Sequence, residues 1–148
     1  MTLSYREQAL AAFKTTLDEL VADGVTVLRN PDIEIQREQM PCAAMYDGGD
    51  DVEYDASDIQ RHAMRVDVEC YVKANTDGEL GAAMSDLYAK VTKKIFTDRT
   101  LGLSFVIDIQ NEGPYMNDPT IVRDDGRISH AGFPLHYRVI YETAAGEP

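Results

Sequence analysis

The chain has 148 residues, 44% of them hydrophobic and 27% charged, a composition typical of a folded protein with one sizeable core. Its 26 acidic residues outnumber 14 basic ones, and the formal net charge is -12. Because lysine and arginine supply most of the affinity for phosphate backbones and anionic lipids, this balance argues against nucleic-acid recognition and membrane binding. We expect a single soluble domain over residues 1–148.

Neither the N-terminus nor the cysteines indicate export. The first residues lack a basic segment followed by an apolar core, and no stretch approaches the ~20 apolar residues that span a bilayer. Cys42 and Cys70 do not form the C-x-x-C spacing of a metal or redox site. Both are predicted to be free thiols packed as small hydrophobic side chains in a cytosolic protein.

The first predicted element is an amphipathic helix from about Tyr5 to Ala22. Ser4, followed three residues later by Glu7, forms a capping-box pattern, and Gly24 marks the end. Apolar residues recur at helical spacing along one stripe: Leu10, Phe13, Leu17, Leu20 and Val21. A stripe of this width predicts a helix that covers one face of a sheet.

Two short strands are predicted next. The first runs from Val25 to Leu28, is rich in β-branched residues and stops before Asn30-Pro31. The stretch from Asp32 to Pro41 is predicted as a loop or a weak strand. The second strand, Cys42 to Tyr46, consists of small residues and is entered through a proline, which a strand tolerates at its start.

The segment from Asp47 to Asp58 is the most unusual by composition, because six of its twelve residues are acidic. Its spacing differs from that of a calcium-binding EF-hand loop. We predict a solvated hairpin tip, with a divalent-cation site or a partner contact as the alternative.

The second half begins with the clearest alternating pattern, a strand from Met64 to Lys73 with its even-numbered residues in the core. Thr76 and Glu79 then form a second capping box. The helix that follows is predicted to end near Phe96, with an apolar stripe of Leu80, Ala83, Met84, Leu87, Tyr88, Val91 and Ile95.

Two further strands are predicted towards the C-terminus. In Leu103 to Gln110, the odd-numbered residues Leu103, Phe105, Ile107 and Ile109 are expected to share one face, opposite Ser104, Val106, Asp108 and Gln110. The segment from Asn111 to Arg127 is predicted as a long loop with a short strand at Thr120 to Arg123. The last strand runs from Leu135 to Glu142 with its odd-numbered residues inward, and residues 144–148 are predicted to be a frayed tail.

These elements predict an α+β fold: a mainly antiparallel sheet of four to five strands with two helices packed on one face. The other face of an antiparallel sheet can remain polar. Here that face is predicted to carry a mixed-charge surface suited to contact with another subunit, formed by Arg65, Asp67, Glu69, Arg138 and Glu142.

Motifs for chemistry are not evident in the sequence. There is no G-x-S-x-G nucleophile elbow and no phosphate-binding loop, and the spacing of His62, His130 and His136 matches no common zinc motif. We therefore predict a protein without catalytic residues, cofactor or metal, which works by binding other proteins. A small hydrolase or ligand-binding domain remains the alternative from another class, because carboxylate pairs can be assembled from distant positions.

Four segments occur in a recognisable order after the first helix. They are a P-x-A-x-x-Y-like strand from Pro41 to Tyr46, a V-x-V-E-x-Y-V-like strand from Val66 to Val72, an L-Y-x-x-V-like helix core from Leu87 to Val91, and the closing LHYRVIYETAAGEP. With an acidic loop between the first two, this layout resembles bacteriophage tail terminator proteins, the minor tail protein U class of long-tailed phages. The loop from Asn111 to Arg127 departs from the layout.

The resemblance implies a structural protein that forms a six-fold ring on the finished tail tube. Such a ring stops tube polymerisation and presents a surface to head-closure proteins. The implied partners are further copies of the chain, the tail tube protein and a head-closure or neck protein. The implied location is the neck end of the virion tail, and the host cytoplasm during assembly.

Two surfaces are candidate contact sites in such a ring. The mixed-charge face of Arg65, Asp67, Glu69, Arg138 and Glu142 is a hypothetical subunit interface, since ring closure requires two different patches of one subunit to meet. The second site is hypothesised to meet a basic rim on the tube or neck, or to need divalent cations, and consists of Asp47, Asp50, Asp51, Glu53, Asp55 and Asp58. Another neck or tail-completion protein and a toxin–antitoxin or regulatory partner are further alternatives.

Overall fold

The computed structural model describes residues 3–55, 58–112, 119–124 and 127–148. Within these ranges the chain forms two α-helices and six β-strands, so the predicted α+β class is confirmed. The helices are α1 (Tyr5–Asp18) and α2 (Asp77–Thr97). The strands are β1 (Thr26–Arg29), β2 (Cys42–Asp55), β3 (Ile59–Lys73), β4 (Val106–Asn111), β5 (Thr120–Asp124) and β6 (Arg127–Ala144).

In the described ranges the sheet has six strands rather than four to five, and it is mixed, because one strand pair is parallel; both points correct the predicted topology. Its order is β1-β2-β3-β6-β4, and β5 also pairs with β6. β1 runs parallel to β2, with Thr26 opposite Cys42, whereas the other pairs are antiparallel. The parallel pair arises because the segment between Arg29 and Cys42 carries the chain back to the end of the sheet where β1 began.

Both helices lie on one face of this sheet, and the main core lies between them and the strands. α1 contributes Leu10, Phe13 and Leu17 to this core, and α2 contributes Leu87, Val91 and Ile95. The strands contribute their predicted inward residues, including Met64, Val66, Val68, Leu135, Tyr137 and Val139. The alternation predicted for β3 and for the last strand is therefore confirmed.

The opposite face of the sheet is partly covered by the loop that follows β1. Ile35 and Met40 from this loop pack on Cys42 and Ala44 and form a second, smaller apolar cluster. The loop contains one 3-10 turn, Arg37–Gln39, which agrees with the prediction of a loop here. Further along β3 and β6 this face carries exposed or half-buried polar residues, such as Arg65, Asp67 and His136, and we call it the open face.

The first helix is shorter than predicted. α1 ends at Asp18, and a 3-10 turn over Glu19–Asp23 continues the chain to Gly24, which adopts the left-handed conformation at φ 82. The tighter winding of a 3-10 turn moves side chains out of phase with the preceding α-helix. Val21 is consequently 58% exposed, and its predicted place on the apolar stripe is wrong.

The shared face predicted for the odd-numbered residues of the fourth strand is also wrong in part. Val106 and Ile109 are buried, whereas Ile107 is 41% exposed. A register shift between Val106 and Asp108 causes this difference, because a β-bulge adds one residue and reverses the alternation beyond it. Leu103 and Phe105 precede the strand and pack against the main core.

The C-terminal residues are attached rather than frayed, which corrects another prediction. The backbone N–H of Tyr5 donates to the carbonyl oxygen of Pro148 at 3.0 Å. The Tyr5 hydroxyl donates to the Glu147 carboxylate at 3.2 Å. These bonds hold residues 147–148 against the first turn of α1.

Candidate interaction surface

The acidic segment does not form the predicted hairpin tip. Residues 47–55 continue β2 and pair with β3, and register shifts between Asp47 and Asp50 and between Val52 and Tyr54 accommodate them. The signal in the sequence was the alternation of Val52 and Tyr54 with acidic residues, which is a strand period. Residues 56–57 lie outside the described residues.

Asp47 neutralises a cation instead of facing solvent. Arg29 donates to its carboxylate at 2.8 and 3.1 Å and to both carboxylate oxygens of Glu7 at 2.8 Å. Burial raises the pKa of Asp47, but hydrogen bonds from Arg29 and Asn30 outweigh it and leave this pKa below its ordinary value. The hydrogen bond from Arg29 also lowers the pKa of Glu7. This ion-pair cluster ties the first turn of α1 to β1 and β2.

Asp50 belongs to a second polar cluster on the helix side of the sheet. Its carboxylate accepts a hydrogen bond from the Tyr141 hydroxyl at 2.5 Å and lies 3.6 Å from the Arg6 guanidinium. Arg6 also donates to the carbonyl oxygen of Gly48. The His62 ring stacks on Tyr141, with 4.7 Å between the ring centroids. Asp50 is therefore engaged within the chain.

The remaining acidic residues differ in what they contact. Glu53 accepts a hydrogen bond from Arg138 at 2.5 Å. Asp51 and Asp58 are exposed, and the side chain of Asp55 lies outside the described residues. The structure thus divides the predicted acidic site: Asp47 and Asp50 lie towards the helices, and Glu53 lies with the open face.

The five residues of the hypothetical subunit interface lie together on the open face. Arg65 is directly opposite Arg138 in the pairing of β3 with β6, and Glu142 is opposite Arg61. The two other members, Asp67 and Glu69, follow Arg65 at alternate positions along β3. The predicted mixed-charge residues thus share one face of the sheet, and the buried Ala63 and Ile140 lie between the Arg65–Arg138 and Arg61–Glu142 pairs.

Each charge on this surface has a partner within the chain. Arg65 donates to Glu112 at 3.2 and 3.3 Å, and Arg61 donates to Glu142 at 2.6 and 3.0 Å. Asp67 and the His136 ring are 2.6 Å apart. Ion pairs as exposed as these contribute little to the free energy of folding. Replacing a partner within the chain by a charged group of another molecule therefore costs little free energy.

Glu112 and Arg61 were not singled out in the sequence as parts of this surface. Glu112 lies in the segment predicted as a long loop, and its backbone N–H donates to the carbonyl oxygen of His136 at 2.9 Å. Arg61 precedes the predicted start of the third strand at Met64, whereas β3 begins at Ile59. No local sequence pattern predicts that either residue belongs to this surface. Both reach it only because their segments pair with β6.

The two cysteines lie in different apolar clusters. Cys42 and Cys70 are buried free thiols, as predicted, and they point to opposite faces of the sheet. Among the described residues, no three His, Cys, Asp or Glu side chains are placed to hold a metal ion. No helix in the described ranges has the length and apolar character needed to cross a membrane.

Comparison with known proteins gives no family assignment. No protein-family model matches the chain, and no curated protein matches it significantly.

Proposed function

We propose that this protein is a structural subunit of a phage tail, of the tail terminator type. In this role, copies of the chain form a ring on the end of the tail tube, stop its polymerisation and present a surface to a head-closure or neck protein. The protein works by binding other proteins and is not an enzyme. Its place is the neck end of the virion tail, after assembly in the host cytoplasm.

The arrangement of the motifs that carry the resemblance supports this proposal. Cys42 to Tyr46 pairs with Asp67 to Tyr71 in register, so the two strand motifs are neighbours in the sheet. Leu87 and Val91 of the helix motif are buried in the main core, against this sheet. The motifs therefore form one structural unit rather than scattered similarities.

The open face is the observation that carries the proposal. It presents cations and carboxylates in neighbouring strands, with Arg65 57% and Asp67 44% exposed in their side chains. A surface with both signs of charge is complementary to a second surface of mixed charge and fixes the register of the contact. Ring assembly needs such a directional contact between unlike patches.

Native mass spectrometry of the purified protein over a range of concentrations tests the ring. A six-subunit ring has a mass of about 99 kDa, six times the 16.5 kDa of the chain. A second measurement adds the protein to purified tail tubes, where a terminator binds the tube end and prevents overlength tails. A chain that stays monomeric and does not bind tube ends contradicts the proposal.

The same tube experiment separates the terminator from another neck or tail-completion protein. A protein that docks on the head side leaves tube length unchanged and binds to heads instead. Divalent cations are included as a variable, because carboxylates such as Asp51 and Asp58 are exposed. Assembly that is indifferent to both magnesium and salt argues against an electrostatic role for the acidic residues between Asp47 and Asp58.

A further inference from the structure

A groove crosses the open face at the end away from Arg65. Two adjoining depressions of about 360 and 210 Å³ share Tyr71, Thr120 and Gly132 in their linings. The larger volume lies within the roughly 300–1,000 Å³ range of small-ligand sites. The groove runs between the loop after β1 on one side and β5 on the other.

The floor of the groove is an aromatic ring over a glycine. A Cβ atom at Gly132 would lie 3.0 Å from two ring carbons of Tyr71, so any larger residue would press on this ring. The Tyr71 hydroxyl donates to the Glu69 carboxylate at 2.5 Å. This bond holds the ring and the carboxylate side by side and leaves the second oxygen of Glu69 as a further acceptor.

The walls combine apolar and acidic groups. Ile33, which is 76% exposed, lines one side, and Val122, which is 39% exposed, lines the other. Glu34 stands beside Ile33, and Tyr46 adds a second ring. Apart from these tyrosines, the ionisable lining residues that the structure describes are Glu34, Glu69 and His130. The described part of the lining therefore carries two carboxylates and no lysine or arginine.

We propose that this groove binds an arginine side chain presented by a partner protein. A guanidinium group stacks on a tyrosine face and donates in a planar fork to a carboxylate, so it matches the Tyr71 ring and the free Glu69 oxygen together. Its three-carbon stem contacts the apolar walls at Ile33 and Val122. This site shares Glu69 with the hypothetical subunit interface, but it lies away from the charge pairs of Arg65 and Arg138.

The test is an NMR titration of the isotope-labelled full chain with the blocked tripeptide acetyl-Gly-Arg-Gly-amide. Saturable shifts are expected at the backbone amides of Tyr71, Thr120 and Gly132. The Glu69→Gln variant keeps the shape of the side chain but removes its charge, and it is expected to weaken binding about tenfold. Asp86→Asn removes an exposed carboxylate on α2 and is expected to leave binding unchanged.

Two peptide controls define the chemistry. The citrulline peptide has nearly the same shape without the charge and is expected not to bind, and the lysine peptide is expected to bind more weakly. Equal binding of either control overturns the guanidinium assignment. The proposal is also overturned if the arginine peptide causes no saturable shifts at about 10 mM. It is overturned as well if the folded Glu69→Gln variant binds this peptide unchanged. Concentration-dependent shifts of the same amides without peptide show that a second copy of the chain fills the groove and also overturn the proposal.

Discussion

Gly48 lies against the backbone of Arg65, so that a Cβ atom at this glycine would be 2.6 Å from the Arg65 carbonyl oxygen and 2.7 Å from its Cβ. The contact falls at the register shift between Asp47 and Asp50, where β2 departs from regular pairing with β3. It joins β2 to β3, the strand that carries three of the five residues of the hypothetical subunit interface. The close approach explains a glycine in the middle of a long strand.

Gly48→Ala is expected to destabilise the protein by about 1–3 kcal/mol, because the clash involves backbone atoms that cannot rotate away. Gly49→Ala is the matched control, since nothing lies within 4 Å of a Cβ at Gly49. Urea denaturation followed by circular dichroism measures both variants. Equal midpoints for the two alanine variants would show that β2 relaxes around the added methyl group.

Arg29→Met is expected to lower the free energy of unfolding at neutral pH by about 1–2 kcal/mol, since two charged hydrogen-bond acceptors lose their donor. This decrease in the free energy of unfolding is modest because the Glu7 side chain is 38% exposed and solvent screens its charge. Arg61→Met, which breaks the exposed pair with Glu142, is the matched control and is expected to cost less.

The same cluster predicts a pH dependence. The pKa values of Glu7 and Asp47 lie below their ordinary values of 4.5 and 3.8. Groups with a lowered pKa in the folded state stabilise it above their unfolded pKa, and this stabilisation is lost as the pH falls through the folded pKa. Stability of the unmodified protein is therefore expected to fall below about pH 4.5, and Arg29→Met is expected to flatten this part of the curve. Parallel curves would contradict the role of Arg29.

Both cysteines are expected to be unreactive in the folded protein. Burial raises the pKa of Cys42 to about 11 and raises that of Cys70 further, and the thiolate is the reactive form. A colorimetric thiol reagent at about pH 8 is expected to detect neither thiol in the native state and both in denaturant. Cys42→Ala and Cys70→Ala assign any residual signal. Rapid labelling of the native protein would show that one of the apolar clusters opens readily.

The hypothetical subunit interface is tested by Arg65→Gln combined with Arg138→Gln. The double variant leaves Glu112 and Glu53 without their cations, so the open face becomes more negative and repels further copies of the chain. Ring formation is expected to be lost while the circular dichroism spectrum is unchanged. The control variant is Lys14→Gln combined with Lys90→Gln. It removes the same number of positive charges, but from the two helices instead of the open face. An intact ring in the arginine variant would remove this face from the interface.

Local sequence patterns predicted the elements whose periods are regular. The N-caps of both helices are as predicted: the Ser4 side chain accepts from the N–H of Glu7 at 3.0 Å, and that of Thr76 accepts from the N–H of Glu79 at 3.2 Å. The inward faces of β3 and of the last strand also followed from alternation. These features depend on neighbours three or four residues away in a helix, or two in a strand, and such neighbours are visible in a sequence.

The errors occurred where distant residues decide local structure. The charge of residues 47–55 predicted a solvated tip, but Arg29 and Arg138 neutralise two of these carboxylates and the backbone pairs with β3. The face of β4 depends on a bulge opposite β6, which no local period encodes. The parallel pairing of β1 likewise depends on the path of a loop.

The sequence by itself determined the α+β class, both helices, the composition of the main core and the mixed charge of the open face, because these follow from hydrophobic periodicity and helix capping. Only the tertiary structure decided which charges meet. Strand pairing placed Arg65 opposite Arg138, brought Glu112 to the same surface, and set Tyr71 over Gly132 beside Glu69. These contacts join residues far apart in the chain, and their geometry exists only once the sheet has formed.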